Sequence, residues 1–509
     1  MSAILSDDFR IRAHQEWSFY DLHRVFERLR PIAEGEFGLD LYPVQLEVIS
    51  AEQMLDAYSS IGLPLMYRHW SFGKRFAREE ALYRQGYASL AYEIVINSNP
   101  CLVYVMEDNS LLMQSLVIAH AAFGHNHFFK NNALFRQWTD ASAIIPYMEF
   151  AKNYIAKCEE RHGEEAVERI LDAAHALMTH GVDRCPRKKI SLSEEEQQER
   201  ERVMEEQRML ETLWGIPSRK RPPSARAERQ RLFGLPEENI LYFLEKKAPL
   251  LKPWQREILR IVRNIAQYFY PQRQTRLMNE GCATYVHYML MNRLYEQGAV
   301  DEGAMLEFLH AHSSVIAQPG YDHPGFSGIN VYALGFGMMR DLARIATTPT
   351  AEDRAWFPDI AGSGDPWGVL REAWANHRDE SFIRQYLSPE VIRHFRLFSI
   401  EDDGESDYVV EAIHDEQGYE TLRWRLADHF DLARNEPQIE IVDVDLDGDR
   451  CLELEHRVIE GRMLDERNAK LALGHLADLW GYEVRLAEVD AESERVLRRY
   501  DAGPRRSRM

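Results

Sequence analysis

Cysteine is scarce in this chain: five residues in 509, at positions 101, 158, 185, 282 and 451, with no CxxC pair among them. That spacing excludes a zinc ribbon and a dithiol redox pair, and it fits a reducing compartment rather than a disulfide scaffold. Long apolar runs are missing too. No segment reaches 18 uninterrupted apolar residues, so no membrane-spanning helix is expected. The opening stretch, MSAILSDDFRIRAHQEWSF, holds no apolar run of secretory type, and the expected compartment is the cytoplasm. Positive charge is in deficit: 61 Lys and Arg against 82 Asp and Glu give a net charge of −21. That balance argues against general binding to nucleic acid or to an anionic membrane surface. No internal repeat is present.

What is there reads as mainly helix. A hydrophobic fraction of 45% is that of an ordinary globular protein, and the length allows about two to four domains. Phe19, Leu22, Val25, Phe26 and Leu29 share one helical face, and Pro31 bends or restarts that helix. Residues 44–63 read as the next helical block. LAYEIVINSNPCLVYVME is different: β-branched segments flank the turn signal Asn97–Pro100, which predicts a small hairpin. Helices resume at 148–157 and 164–181, again from Pro236, and over 365–395. Between them, 190–235 is a charged run followed by a basic, Pro- and Ser-containing stretch, expected as a solvated and partly mobile segment. From 396 the texture changes to strands alternating with helical stretches near 418–434 and 464–480. The expected architecture is a mainly α N-terminal domain, 1–395, with a small hairpin insertion. A small α+β C-terminal domain follows at 396–495, with a disordered tail at 496–509.

The chemistry concentrates in two stretches. Ser115–Asn132, SLVIAHAAFGHNHFFKNN, begins as an apolar helix and carries His120, His125 and His127. Arg276–Tyr288, RLMNEGCATYVHY, carries Glu280 and His287. Imidazoles and carboxylates among apolar residues cost desolvation energy unless something pairs with them. Neutral His and ionised Glu are both good ligands for zinc or iron. Residues seven apart lie about 20° from each other on a helix, so His120 and His127 share a face, as do Glu280 and His287. His125 stands about 140° from His120 on a regular helix and joins it only if the helix distorts, most cheaply at Gly124. The expected metal-ligand set is therefore His120, His125, His127 and Glu280, with His175 and His287 beside them. Each of these is also a candidate core histidine or a satisfied structural carboxylate.

Around these stand candidate substrate-binding groups: Asn126, Asn131, Arg276, Tyr285, Tyr321 and His323, the last two on the Gly/Pro-rich loop QPGYDHPGFSG. His69 and Glu93 are candidate pocket-lining groups, and Glu93, Asp172 and Glu149 are candidate bases. Asp172 and His175, three apart on one helix, fit either a metal-supporting pair or a surface pair.

The motifs HAAFGHNHFFKNN, YEIVINSNP, PWQREILRIVRNIAQYFYPQRQT, MNEGCATYVHY, GINVYALGFGMMRD and RDESFIRQYLSP together resemble the stage V sporulation protein R (SpoVR) family, over about residues 15–490. Cys282, Tyr285 and Val331 depart from the family's pattern. The resemblance implies a bacterial cytoplasmic protein linked to spore cortex formation, or to stress and stationary phase where no spores form. It also implies an AAA+ serine protein kinase and a von Willebrand factor A domain protein as partners. MNEGCATYVHY further resembles the NEGxAxY helix of gluzincin metallopeptidases, which implies Glu280 as a zinc ligand. The HExxH motif of that group is absent: His120 and His125 are five apart, and Ala121 stands where its glutamate would be. Three function classes follow. The first is a metal-dependent hydrolase of amide or peptide-like bonds. The second is an iron-dependent oxidoreductase at the same site. The third is a non-enzymatic scaffold for the kinase, with the polar cluster as a buried network.

Overall fold

A computed structural model describes residues 9–59, 66–70, 93–186, 204, 230, 233–321, 323–402, 408–412, 414–445 and 449–505. The charged segment expected at 190–235 lies almost wholly outside them. The chain forms two compact units, each built from two separate stretches. Met1–Lys152 and Pro271–Asp431 make the first, and Asn153–Tyr270 and Leu432–Met509 make the second. Among the described residues, no helix is long and apolar enough to cross a membrane.

The first unit opens with α1 (Phe19–Arg30), started by a capping box between Ser18 and Asp21 and buried through Leu22, Val25 and Leu29. Next comes β1 (Val44–Ile49), where the sequence had predicted helix. VQLEVI alternates apolar and polar side chains, and period two fits the edge of a sheet better than a helix. Helix α2 (Ala51–Ser59) follows. The expected hairpin is present as β2 (Glu93–Ile96) antiparallel to β3 (Cys101–Met106), and β1 adds to β3 in parallel. Helix α3 (Leu111–Val117), capped by Ser110, runs into a π-helical segment, Ile118–His125, and then into α4 (Asn126–Asn131). Helix α5 (Ile144–His162) leads into the second unit.

There the chain makes α6 (Glu164–Ala176), α7 (Ile240–Lys247) and most of α8 (Pro253–Gln274). The first unit resumes with α9 (Arg276–Glu296), α10 (Glu302–Val315), α11 (Val331–Thr347), α12 (Pro366–Asn376) and α13 (Asp379–Tyr386). It closes with the hairpin of β4 (Ser399–Asp402) and β5 (Tyr408–Ala412) and with α14 (Glu416–Phe430). The second unit ends in a four-stranded sheet: β6 (Gln438–Val444), β7 (Leu452–Val458), β8 (Val484–Asp490) and β9 (Val496–Ala502), in that order. α15 (Glu466–Trp480) connects the parallel pair β7 and β8. Residues 496–502 were expected in a disordered tail. They form β9 instead, because pairing with β8 satisfies their backbone groups and buries Tyr500.

Glycine sets how closely the helices of the first core approach. A Cβ on Gly124 would stand 2.5 Å from the Ala283 Cα, and one on Gly281 would stand 2.7 Å from the Gly335 Cα. The π segment, α9 and α11 therefore touch backbone to backbone, and this contact brings the two histidine-bearing stretches together.

Candidate metal centre

His120 and His125 both sit on the π segment. Its i→i+5 hydrogen bonding stacks residues five apart, which a regular helix would splay. The two rings are edge to face with centroids 4.6 Å apart. α9, seated on Gly124, delivers Glu280, whose Oε2 lies 3.8 Å from His120 Nε2 and 3.6 Å from His125 Nε2. The first residue of β2 completes the group: Glu93 Oε1 lies 3.3 Å from His120 Nε2 and 3.8 Å from His125 Nε2. One ligand atom each from Glu93, His120 and His125 falls within 4.8 Å of the others. Tetrahedral ligands at ordinary zinc distances stand about 3.3 Å apart, so these separations suit one shared ion.

Electrostatics prepare the donors. Burial pushes the Glu93 carboxyl up to about 7; the His120 ring opposes this and the Glu280 carboxylate adds to it. Burial also works against Glu280, but His125, His120 and a hydrogen bond from the Tyr332 hydroxyl outweigh it and hold that carboxyl below its usual value. Burial lowers His125 to about 4 and keeps it neutral. His120 is held above its usual value: burial opposes the charge, and the two glutamates outweigh burial. Two carboxylates forced together in a low dielectric repel each other, and a divalent cation relieves that repulsion.

Further groups orient the ligands. His125 Nδ1 is 2.9 Å from Asn279 Oδ1. Since that oxygen only accepts, Nδ1 carries the ring proton and Nε2 presents a lone pair to the site. His120 Nδ1 is 2.9 Å from His287 Nδ1, and His287 Nε2 is 2.9 Å from His312 Nδ1. Asn330 caps α11 by accepting from the Tyr332 backbone N–H, which fixes the tyrosine that reaches Glu280.

The other expected ligands lie elsewhere. His127 turns to the Asp40 backbone, with Nδ1 accepting from the Asp40 N–H at 3.0 Å, and its ring meets Trp374 edge-on. On this distorted helix the seven-residue spacing no longer defines a face. His287 touches His120, not the cluster's open side, and both its ring nitrogens are engaged. His175 and Asp172 belong to α6 of the second unit, where Asp172 acts on His475. Among the expected substrate groups, Asn126 pairs with both backbone groups of Tyr42, and Asn131 donates to the Asp40 and His127 carbonyls. Tyr285 is buried against Phe336 and Trp367, and Arg276 is exposed at the start of α9. Tyr321 is exposed against Phe326 and Phe398, and His323 Nδ1 accepts from the Gly325 N–H within its own loop. Glu149 is exposed on α5, and the His69 ring lies beside Trp70. Asn279, His312 and Tyr332 were not singled out from the sequence. Only Asn279, adjoining Glu280, carried a usable signal.

The profile described as SpoVR like protein matches residues 16–435. The chain belongs to the SpoVR family. A second profile, the SpoVR-like C-terminal domain, matches residues 437–491. A SpoVR relative from Escherichia coli (strain K12), described as uncharacterized protein YcgB, is 51% identical over 484 residues, covering 95% of this chain and 94% of that protein. No solved structure matches this SpoVR chain.

Proposed function

We propose that this SpoVR-family chain is a metal-dependent enzyme that hydrolyses an amide or peptide-like bond. His120, His125 and Glu280 hold zinc or iron, and Glu93 acts beside them as the base. The observation that carries this reading is the convergence of two half-buried carboxylates on the same two imidazole Nε2 atoms, each contact 3.3–3.8 Å. A bound divalent ion supplies Lewis acidity and lowers the pKa of its water. The chain's own groups supply the rest. Glu280 is ionised and oriented by Tyr332, and His125 is neutral with its lone pair aimed inward. Glu93, whose Oε1 lies 3.3 Å from His120 Nε2, stands beside the ion's position as the base. Glu93 thus fills from a strand the role that Ala121 leaves open on the helix.

The same donor set, two imidazoles and a carboxylate, also serves iron oxygenases, so an iron-dependent oxidoreductase at this site is the second reading. The family's link to the spore cortex makes peptidoglycan amides the first substrates to try. The same reading makes the protein cytoplasmic, with an AAA+ serine protein kinase and a von Willebrand factor A domain protein as partners. Elemental analysis of purified wild type, His120→Ala and Glu280→Gln tests it, with amine release from peptidoglycan fragments as the assay. Near-stoichiometric metal in the wild type and its loss in both variants is expected. An optical iron signal selects the oxidoreductase, and a metal-free, fully active wild type ends the proposal. Glu93→Gln should keep its metal and lose roughly 10²- to 10⁴-fold in rate.

A further inference from the structure

We propose that His287 and His312 are positioning residues: a two-ring relay that fixes the tautomer of His120 and so turns a bare Nε2 toward the metal. This rests on the reading of His120 as a ligand. His120, His287 and His312 are all buried, at 6%, 1% and 3% exposure. They form a chain from the π segment through α9 to α10, with both links 2.9 Å long.

A neutral imidazole has one N–H and one lone pair. If His120 Nε2 is the ligand atom, its proton is on Nδ1. The atom facing Nδ1 is His287 Nδ1, which must therefore accept. His287 then carries its proton on Nε2 and gives it to His312 Nδ1, and His312 carries its own on Nε2. Every link has one solution while the rings are neutral. The reverse order puts the His120 proton on Nε2, where it faces Glu93 Oε1 at 3.3 Å and blocks coordination. The two orders each hold three N–H groups. The relay is held in line by aromatic walls: the His312 ring stacks on Phe308 at 5.8 Å and lies 4.9 Å from both Tyr288 and Phe336. His125 has no such freedom, because the Asn279 carbonyl oxygen only accepts.

The test is metal affinity by chelator competition for wild type, His312→Phe and His312→Gln, all checked for folding by thermal melting. Nitrogen-15 NMR of the wild-type histidine rings, with and without zinc, accompanies it. Gln keeps an acceptor for the His287 Nε2–H and Phe does not. His312→Phe should bind zinc about 10-fold more weakly, and His312→Gln should bind close to wild type. The zinc-loaded wild type should show His287 protonated on Nε2. Equal affinities in the two variants, or a His287 Nδ1–H in the zinc-loaded protein, overturn the relay and leave the metal reading standing. A wild type that takes up no metal overturns both.

Discussion

Asp379 shows what burial demands of a single charged residue in this protein. Its two carboxylate oxygens accept from the Leu277 and Met278 N–H groups, each at 2.9 Å, and so satisfy two open donors in the first turn of α9. Burial nevertheless pushes its carboxyl from 3.8 up to about 7, against those two bonds and the Arg276 charge. The folded protein therefore holds this proton more tightly than the unfolded chain does. The resulting stability is full below about pH 4 and is lost as pH rises through about 7. The difference is on the order of 4 kcal/mol. Urea unfolding followed from pH 4 to 8 should show stability falling with pH in the wild type. Asp379→Asn should flatten the fall by an amount of that order, and an unchanged slope would show that the carboxyl ionises freely.

At the scale of elements, the site exists because the π segment, α9 and α11 meet without side chains between them. Gly335 makes the sharpest test: a Cβ there would lie 2.5 Å from the Leu277 carbonyl oxygen, at the start of the helix that carries Glu280. Gly335→Ala should destabilise the protein by about 1–3 kcal/mol. Gly474→Ala on α15 meets nothing within 4 Å and should gain about 0.5–1 kcal/mol from helix propensity. Thermal melts of the two variants check both signs, and a neutral Gly335→Ala would mean the helices shift apart freely. This contact also explains what the sequence could and could not convey. His120, His125 and Glu280 were legible as imidazoles and a carboxylate in apolar surroundings, and Gly124 as the place where the helix would distort. The reading went astray on His127 because face arithmetic assumes 3.6 residues per turn, and tertiary packing imposed a π turn instead. Glu93 was visible only as one candidate among several, since no periodicity links a strand residue to a helix 27 positions later. Residues 44–49 were read as helix although VQLEVI alternates, because a six-residue edge strand is too short to outweigh the helical text around it.

For the whole molecule, the sequence texture and the packing divide the chain differently. Strand-like residues begin near 396, yet β4, β5 and α14 belong to the first unit, and Tyr419, Leu422 and Ala427 join its main core. The Arg423 guanidinium ties α14 to the Leu387 carbonyl at 2.9 Å. The C-terminal sheet, in turn, shares its unit with residues 153–270. α15 packs on α6, the Glu237 N–H donates to the Ile441 carbonyl, and Gly481 sits against Leu250. Sequence pattern reports local periodicity and has no access to such closure between distant stretches. A fragment of residues 437–505 should therefore fold poorly by itself. Without residues 153–270 it exposes Trp480, which is buried beside Phe243 in the full chain, and an apolar face left in water favours association or a loosely packed state. Such a fragment should bind a hydrophobic dye and lack near-ultraviolet circular dichroism, and co-expression with residues 153–270 should suppress the dye signal. A fragment 437–505 that unfolds cooperatively alone would show instead that its four strands and α15 close a sufficient core.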